Sequence, residues 1–369
     1  MKWKFYSLAF VAGMSILTAC SSDDNNDNDG NGGNGNGNEI ENGTILKGTI
    51  TSDVTLAAGN TYKLSGEYIV EEGATLHIEE GVKIIAVYDD IADYILVKQG
   101  GKINAVGTPD KPIVMTSEKE ESGAWGGIHI CGRAHTNAEG GKGSSEIGGA
   151  VYGGNDDADN SGTLQYIRLE YTGFAFDEEH EANGISFYGV GNGTIVDHCQ
   201  AYKGSDDGFE FFGGSVNVSN LVAVSCSDDS FDWTEGWNGK GTNLVAYQEA
   251  ESTLGYDCDC LMECDNNGSN NAATPVAHPV LKNLILVGNG GSKQGIRLRA
   301  GTEVEIDNAK ICGKGQPLTV ETALTENALK NGTSKLTNIT LTAELSSKEG
   351  IYTHADFIAV TSNKVDASL

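Results

Sequence analysis

The amino-acid sequence predicts an all-β fold, a right-handed single-stranded parallel β-helix, and two repeating segments support this prediction. In the first segment, a polar residue and a Gly or Ser usually precede alternating apolar positions. Copies occur at residues 183–187, 207–211, 229–233, 260–264 and 294–298. The repeat from Asp206 to Asp228 is 22 residues, and a period of this length indicates one supersecondary unit stacked on copies of itself.

The second segment begins with Asn and follows most copies of the first. It starts at Asn220, Asn243, Asn283 and Asn308. Each unit thus holds short β-branched or aromatic runs separated by Gly, Asn and Asp, which is typical of a coil of parallel strands. An antiparallel sandwich is the alternative, but hairpins do not repeat their sequence at a fixed period.

The composition agrees with a fold that turns often. Fifty glycines and five prolines suit tight turns and strands that stay in a continuous ladder. Both ends of a parallel stack need covering, because they expose strand edges. Residues 320–329 (VETALTENAL) are the one helical-looking stretch, so we expect one short capping helix near the C-terminus.

Residues 1–19 are predicted to be a lipoprotein signal peptide that is removed. Two lysines precede an apolar stretch at 5–17, which is too short to span a bilayer permanently. Residues 17–20 (LTAC) resemble the bacterial lipobox, which implies cleavage before Cys20 and a lipid on its sulfur. We therefore expect a protein that is anchored to the membrane rather than spanning it. Secretion without lipidation is the alternative.

Residues 20–43 are expected to be a tether, and residues 44–369 the β-helix domain. The tether consists almost wholly of Ser, Asp, Asn and Gly after Cys20, so it cannot bury a core. Its acidic run at 21–24 is similar to the surface-export signal of Bacteroidota lipoproteins. That resemblance implies an outer-membrane protein exposed on the cell surface, and a merely solvated linker is the alternative.

The net charge of the chain indicates which classes of partner it can bind. There are 24 basic and 52 acidic residues, a formal net charge of −28. Nucleic acid and anionic lipid attract basic patches, so we expect no nucleic-acid partner and contact with the membrane through the lipid anchor only. Cations, neutral glycans or basic proteins suit such a surface better.

Seven cysteines remain after lipidation, an odd number that leaves at least one unpaired in a monomer. Disulfides form in exported proteins, but the sequence does not show which residues would pair. A zinc site is the alternative, although the spacing lacks the paired arrangement of a zinc ribbon. These residues are Cys131, Cys199, Cys226, Cys258, Cys260, Cys264 and Cys312.

The first segment also predicts which side chains face outward. Side chains alternate along a strand, so the apolar residues of each copy, such as Phe209 and Phe211, should point into the core. The residue between them should point out. Stacked coils then form one outward column of Ser186, Glu210, Asp232, Glu263 and Arg297.

Acidic residues of the preceding turns extend this column and leave three interpretations open. Carboxylates about 4.8 Å apart repel, so the column needs a cation, raised pKa values or outward splaying. Hard oxygen ligands on fixed turns favour Ca²⁺. Alternatively, Asp side chains cap backbone N–H groups, or some are catalytic. The candidate Ca²⁺ ligands are Asp206, Asp207, Glu210, Asp228, Asp229, Asp232 and Glu263.

Aromatic residues along the solenoid are candidates for ligand binding, because their apolar faces suit sugar rings. Residues 125–130 fit the register of the first segment and place His129 in the outward column. The candidate ligand-binding residues are Trp125, His129, Tyr188, Trp237 and Arg297.

Residues 204–208 (GSDDG) resemble the Gly-Asp-Asp element of polygalacturonase-type hydrolases, in which paired carboxylates act as acid and base. Residues 297–299 (RLR) resemble their Arg-x-Lys substrate clamp. The chain lacks the Gly-His-Gly and Asn-Thr-Asp turns of those enzymes, and a lyase would need an Arg or Lys base. Candidate catalytic residues are Asp206, Asp207, Glu210, Asp228, Asp229 and Arg297.

Longer stretches resemble a group of Bacteroidota surface lipoproteins with a pectate-lyase-like β-helix body. The most specific are NSGTLQYIRLEY at 160–171 and DDGFEFFGG at 206–214. The resemblance covers most of residues 45–345 and implies the fold and the outer-membrane location, but no reaction. We therefore expect recognition of an extracellular glycan or protein. The alternatives are a divergent polysaccharide lyase or glycoside hydrolase, and a structural or adhesive surface protein.

Overall fold

The structure is a computed structural model that describes residues 38–89, 91–176 and 180–369. They form a parallel β-helix, which confirms the predicted fold class. One sheet joins 26 strands, and two short segments form a separate antiparallel pair. The predicted signal peptide, Cys20 and most of the predicted tether lie outside the described residues. Within the described ranges, no helix is long and apolar enough to cross a membrane.

The strands, in chain order, are β1 Asn38–Glu39, β2 Ile45–Ile50, β3 Val54–Leu56, β4 Thr61–Val70, β5 Thr75–Ile78, β6 Lys83–Ala86, β7 Tyr94–Val97, β8 Lys102–Val106, β9 Ile113–Ser117, β10 Ile128–Cys131, β11 Gly143–Ser144, β12 Val151–Tyr152, β13 Gly162–Glu170, β14 Ile185–Tyr188, β15 Ile195–Tyr202, β16 Phe209–Phe212, β17 Asn217–Ser219, β18 Val222–Val224, β19 Phe231–Thr234, β20 Lys240–Tyr247, β21 Met262–Cys264, β22 Val280–Val287, β23 Gln294–Leu298, β24 Glu305–Cys312, β25 Gln316–Val320, β26 Lys335–Leu341, β27 Ser346–Ser347 and β28 Lys364–Val365. The helices are α1 Glu251–Leu254, α2 Ala323–Asn331 and α3 His354–Ala359, with a 3₁₀ turn at Glu139–Gly141.

The strands stack in three parallel ladders, one for each side of the coil. The first ladder carries the predicted outward column and runs through β7, β10, β14, β16, β19, β21, β23 and β25. The long strands β13, β15, β20, β22 and β24 bend in the middle and contribute to both other ladders.

That bend explains the Asn that begins each second segment. Asn220, Asn243, Asn283 and Asn308 have φ between +55 and +63°, a left-handed conformation that Asn tolerates better than most residues. Their side chains also form a ladder, in which Nδ2 of each of the last three donates to Oδ1 of the preceding Asn at 2.8–3.0 Å. Backbone geometry therefore accounts for the recurring Asn without a ligand.

Two predicted boundaries shift in the structure. β1 lies in the predicted tether but pairs with β3, so the β-helix begins by Asn38 rather than at residue 44. The predicted C-terminal helix is present as α2, but it begins at Ala323 because the residues up to Val320 complete β25. The short helices α1 and α3 are not predicted by the sequence.

Candidate functional site

The first ladder places the predicted outward column in one row. Parallel pairing aligns, in order, Ser186, Glu210, Asp232, Glu263 and Arg297. The apolar residues that flank this row are buried in the core. The predicted alternation of inward and outward side chains is therefore confirmed.

A second row runs along the turn before each strand, where Asn and Asp side chains cap the next coil. Oδ1 of Asn183 accepts the backbone N–H of Asp207 at 3.2 Å, and Oδ1 of Asp207 accepts that of Asp229 at 2.8 Å. Oδ1 of Asp229 accepts the N–H of Cys260 at 2.6 Å. All three capping side chains are buried. Turn capping is thus one role of this row, and it uses one carboxylate oxygen of each Asp.

The two rows meet in a continuous group of carboxyl groups. In each of three sets, the carboxylate oxygens lie within 4.8 Å of one another. The sets are Asp206, Asp207 and Asp228; Asp207, Glu210 and Asp232; and Asp229, Asp232 and Glu263. These seven residues, called the acidic cluster below, are the predicted Ca²⁺ ligands, and the fold brings all of them together.

Burial and mutual repulsion oppose full ionisation of the acidic cluster. Burial, followed by the charges of neighbouring carboxylates, raises the pKa of Asp206 to about 7 and that of Asp228, at the exposed rim, to about 6. At neutral pH the cluster therefore holds several protons or binds a cation. The same causes raise the pKa well above the usual range for Asp207, Glu210, Asp229 and Asp232.

Two arginines close one end of the acidic cluster. Arg297 donates to Glu263 at 2.8 Å and to Glu321 at 3.3 Å, and Arg299 pairs with Glu263 and Asp265. Burial alone would lower the pKa of Arg297, but its hydrogen bonds to the two glutamates outweigh burial and raise it. Arg297 is therefore beside the column as predicted, yet poorly suited to act as a catalytic base.

The prediction that three aromatic residues bind a ligand with their exposed faces is wrong. Trp125, Tyr188 and Trp237 are at most 1% exposed, and both indole N–H groups donate to backbone carbonyls, at 2.7 and 3.2 Å. A buried ring cannot offer its face to a sugar. Trp125 and Trp237 belong to the main core, and Tyr188 belongs to a second apolar cluster outside it. His129 is buried as well; its Nε2 lies 2.6 Å from a backbone carbonyl, and burial lowers its pKa to about 4.

An insertion between β10 and β13, residues 132–161, explains why outward positions are buried. Three of its apolar residues, Ile147, Ala150 and Tyr152, lie in a second apolar cluster outside the main core. This cluster includes Leu96 and Tyr188 from outward positions of the first ladder. The insertion thus covers β7, β10 and β14 and reaches β16, where Phe212 belongs to the same apolar cluster. Asp228 stays exposed on the next coil.

The sequence analysis misses two residues of the site. The insertion carries Glu146, which accepts the Tyr188 hydroxyl at 3.3 Å, and burial raises its pKa to about 7. No local pattern marks this residue. Asn183 donates from Nδ2 to Oε2 of Glu210 at 2.6 Å. Its position in register with Asp207 is a signal that could have identified it.

The family-model comparison supports the fold. Residues 48–368 match the family model described as "Pectate-lyase like beta helix domain". The crystal structure of the Dettilon tailspike protein is similar at 9% sequence identity and a TM-score of 0.32, over 81% of this chain and 56% of the tailspike. The chain therefore spans little more than half the length of that protein. No curated protein matches the chain significantly.

Proposed function

The chain belongs to the pectate-lyase-like β-helix family, and from this premise we propose that it is a lipid-anchored cell-surface protein that recognises an extracellular glycan along the acidic cluster. The fold is compatible with glycan binding. The observation that carries the proposal is the row of carboxyl groups in the acidic cluster, in which three sets of carboxyl oxygens lie within 4.8 Å of one another.

Glycan hydroxyl groups both donate and accept hydrogen bonds. A neutral carboxyl group donates one hydrogen bond and also accepts, whereas a carboxylate only accepts. Asp206 and Asp228, with pKa values of about 7 and about 6, supply both forms at the accessible side of the cluster. Because strands repeat about every 4.8 Å, these groups form a row along which a linear glycan can lie.

We also propose that Ca²⁺, when it is available, displaces the protons of the acidic cluster and binds there. The seven residues offer only carboxylate oxygens, the ligands that Ca²⁺ prefers, and three sets of them lie within 4.8 Å. Asp206, Asp207 and Asp228 would hold the ion nearest the solvent. A bound cation would neutralise their charge and attract anionic or hydroxyl groups of a glycan. A fourth set, which contains Cys260, suits Ca²⁺ less because it includes a thiol.

The lipid anchor and the outward location are supported by the sequence alone. Cys20 follows the lipobox-like residues 17–19, and the acidic run at 21–24 follows it directly. The formal net charge of −28 supports partners other than nucleic acid.

A glycoside hydrolase is the second candidate, and one observation favours it. Asp206 and Asp228 carry carboxyl oxygens within 4.8 Å of each other and have raised, unequal pKa values. One can therefore hold a proton while the other is ionised, as acid–base hydrolysis requires. A lyase has less support, because the nearby basic residues Lys293, Arg297 and Arg299 all form ion pairs with carboxylates.

The test is a screen of the purified protein against plant, host and microbial polysaccharides, measuring both retention and release of soluble products. We expect retention without products, and we expect Asp206→Asn with Asp228→Asn to weaken it about tenfold, or about 1.4 kcal/mol. A matched control, Asp110→Asn with Glu251→Gln, replaces two exposed acids outside the cluster.

Product release that the double substitution in the cluster abolishes would establish the hydrolase instead. Retention on no polysaccharide would rule out the glycan proposal and favour a protein ligand or an adhesive role.

A further inference from the structure

Outside the acidic cluster, Lys314 is a buried lysine. It is 4% exposed, and its Nζ donates to the backbone oxygen of Cys258 at 2.9 Å and to Oδ1 of Asn289 at 3.0 Å. In the described part of the chain, no carboxylate forms an ion pair with this Nζ. Burial lowers the pKa of Lys314, which increases the share of the neutral, nucleophilic amine.

The lysine side chain is held in place by a close approach to Gly288. A Cβ added at Gly288 would lie 2.6–3.0 Å from Cγ, Cδ and Cε of Lys314. Only Gly leaves room for the lysine stem here, so the position of Nζ beside Asn289 is set by packing.

The side-chain amide of Asn289 is polarised from both ends. Its Oδ1 accepts the backbone N–H of Gly291 at 3.1 Å in addition to Nζ of Lys314. When Nζ attacks, the Gly291 N–H remains hydrogen-bonded to Oδ1 and stabilises the negative charge that the attack places there. Its Nδ2 donates to Oδ1 of Asp257 at 3.2 Å. A carboxylate therefore contacts the nitrogen that would leave.

We propose that Lys314 and Asn289 form an intramolecular isopeptide bond. The neutral Nζ attacks Cγ of Asn289, a new C–N bond forms, the Cγ–Nδ2 bond breaks, and ammonia leaves. Once the new bond forms, Nζ and Nδ2 are both bonded to Cγ, so Asp257, which already contacts Nδ2, can take a proton from Nζ and deliver it to Nδ2. Atoms and charge balance without an oxidant or cofactor. This modification is independent of the proposed glycan recognition.

The bond would join two successive coils that are already in contact. The backbone N–H of Gly288 donates to Cys312 O at 2.8 Å, and that of Gly290 donates to Gly313 O at 2.5 Å. The two linked residues are 25 positions apart in the sequence. A covalent bond here would fasten the coil of β22 to the coil of β24.

Tryptic peptide mapping of the full chain by mass spectrometry tests the proposal. Trypsin does not cleave after an acylated lysine, so we expect residues 283–293 to be joined to residues 311–330 in one branched peptide. Its mass should be that of the two peptides less one ammonia. Asn289→Asp should give the same branch with loss of water instead.

Three variants provide the controls. Lys314→Arg keeps the positive charge and Asp257→Ala changes an exposed position, and both should yield separate peptides. Lys310→Arg, at an exposed position of the same coil, should leave the branch intact. If Lys314→Arg fails to fold, the wild-type and Asp257→Ala maps still decide the question.

Separate, unmodified peptides from the wild-type chain would overturn the proposal. A succinimide at Asn289–Gly290 would also lose one ammonia but would leave the two peptides unlinked, and that result would overturn it too. A branch that persists in Asp257→Ala would refute the role of Asp257 as the proton carrier.

Discussion

Asp207 and Asp229 lie on successive coils and are connected by a hydrogen bond. Oδ1 of Asp207 accepts the backbone N–H of Asp229 at 2.8 Å, and both carboxyl groups are buried. Each side chain thus stabilises the turn through its hydrogen bond and opposes folding through its charge. Asn183, at the equivalent position one coil earlier, caps Asp207 without a charge. An Asn at this position therefore keeps the cap and removes the repulsion.

Asp229→Asn is accordingly expected to leave the free energy of unfolding at pH 8 unchanged or higher, because Asn can still accept the N–H of Cys260. Asp229→Ala removes the acceptor and leaves that buried N–H unsatisfied, so it should be about 1–3 kcal/mol less stable than the Asn variant. Urea unfolding measures both. Equal losses for Asn and Ala would show that the carboxylate, not the cap, holds the turn.

Without a bound cation, stability is expected to fall as the pH rises from about 4 to about 7. Asp206 and Asp228 have folded-state pKa values of about 7 and about 6, against about 4 when unfolded. The folded chain therefore binds more protons in this range, and raising the pH removes stabilisation. Melting temperatures in chelator at pH 5 and pH 7.5 measure the effect.

The variant Asp206→Asn with Asp228→Asn provides the control for this pH dependence. Its melting temperature should fall less than that of the wild type over the same range. An equal fall in both proteins would mean that these two carboxyl groups titrate normally.

Opposite faces of β16 and β19 should respond differently to substitution. Phe211 stacks on Phe187 at 5.0 Å and on Trp237 at 4.2 Å between ring centroids. Phe211→Ala or Trp233→Ala should therefore cost about 3–5 kcal/mol through the cavity left in the core. Glu210→Gln removes a carboxyl group whose ionisation its neighbours oppose, so it should cost little or stabilise. Thermal melts in which Glu210 is the more sensitive position would contradict this.

The sequence could predict that the residues of the acidic cluster lie together, because this depends only on properties that are local in the sequence. Side-chain alternation and a repeat of 22 residues are enough to align Glu210 with Asp232. The Asp residues of the preceding turns then follow. Their capping role was one open interpretation, and the structure shows that it coexists with clustering because each Asp has two oxygens.

The sequence could not predict which part of the chain covers the outward column of the first ladder. His129 and Tyr188 lie on the first ladder, and periodicity alone cannot show that residues 132–161 fold back over them. That insertion has no repeat, and its path depends on contacts distant in sequence. Glu146 reaches the site only along this path, so no local signal identifies it.

Cys20→Ala is expected to move the protein from the membrane fraction to the soluble fraction. The apolar leader at 5–17 is too short to hold the chain permanently, so the lipid on Cys20 would be the anchor. Immunoblots of fractionated cells measure the distribution. Continued membrane association of the unlipidated variant would argue against the lipobox interpretation.

Calcium is expected to raise the melting temperature, and a chelator to lower it, because Ca²⁺ would relieve repulsion within the acidic cluster. Linkage predicts about 2.7 kcal/mol of stabilisation when free Ca²⁺ is about 100 times its Kd. Asp228→Asn with Asp232→Asn should abolish the difference without unfolding the chain, and monovalent salt should reproduce only a small part of it by screening. Identical melting curves in Ca²⁺ and chelator would contradict the proposed Ca²⁺ site and would leave the cluster as turn caps and protonated carboxyl groups.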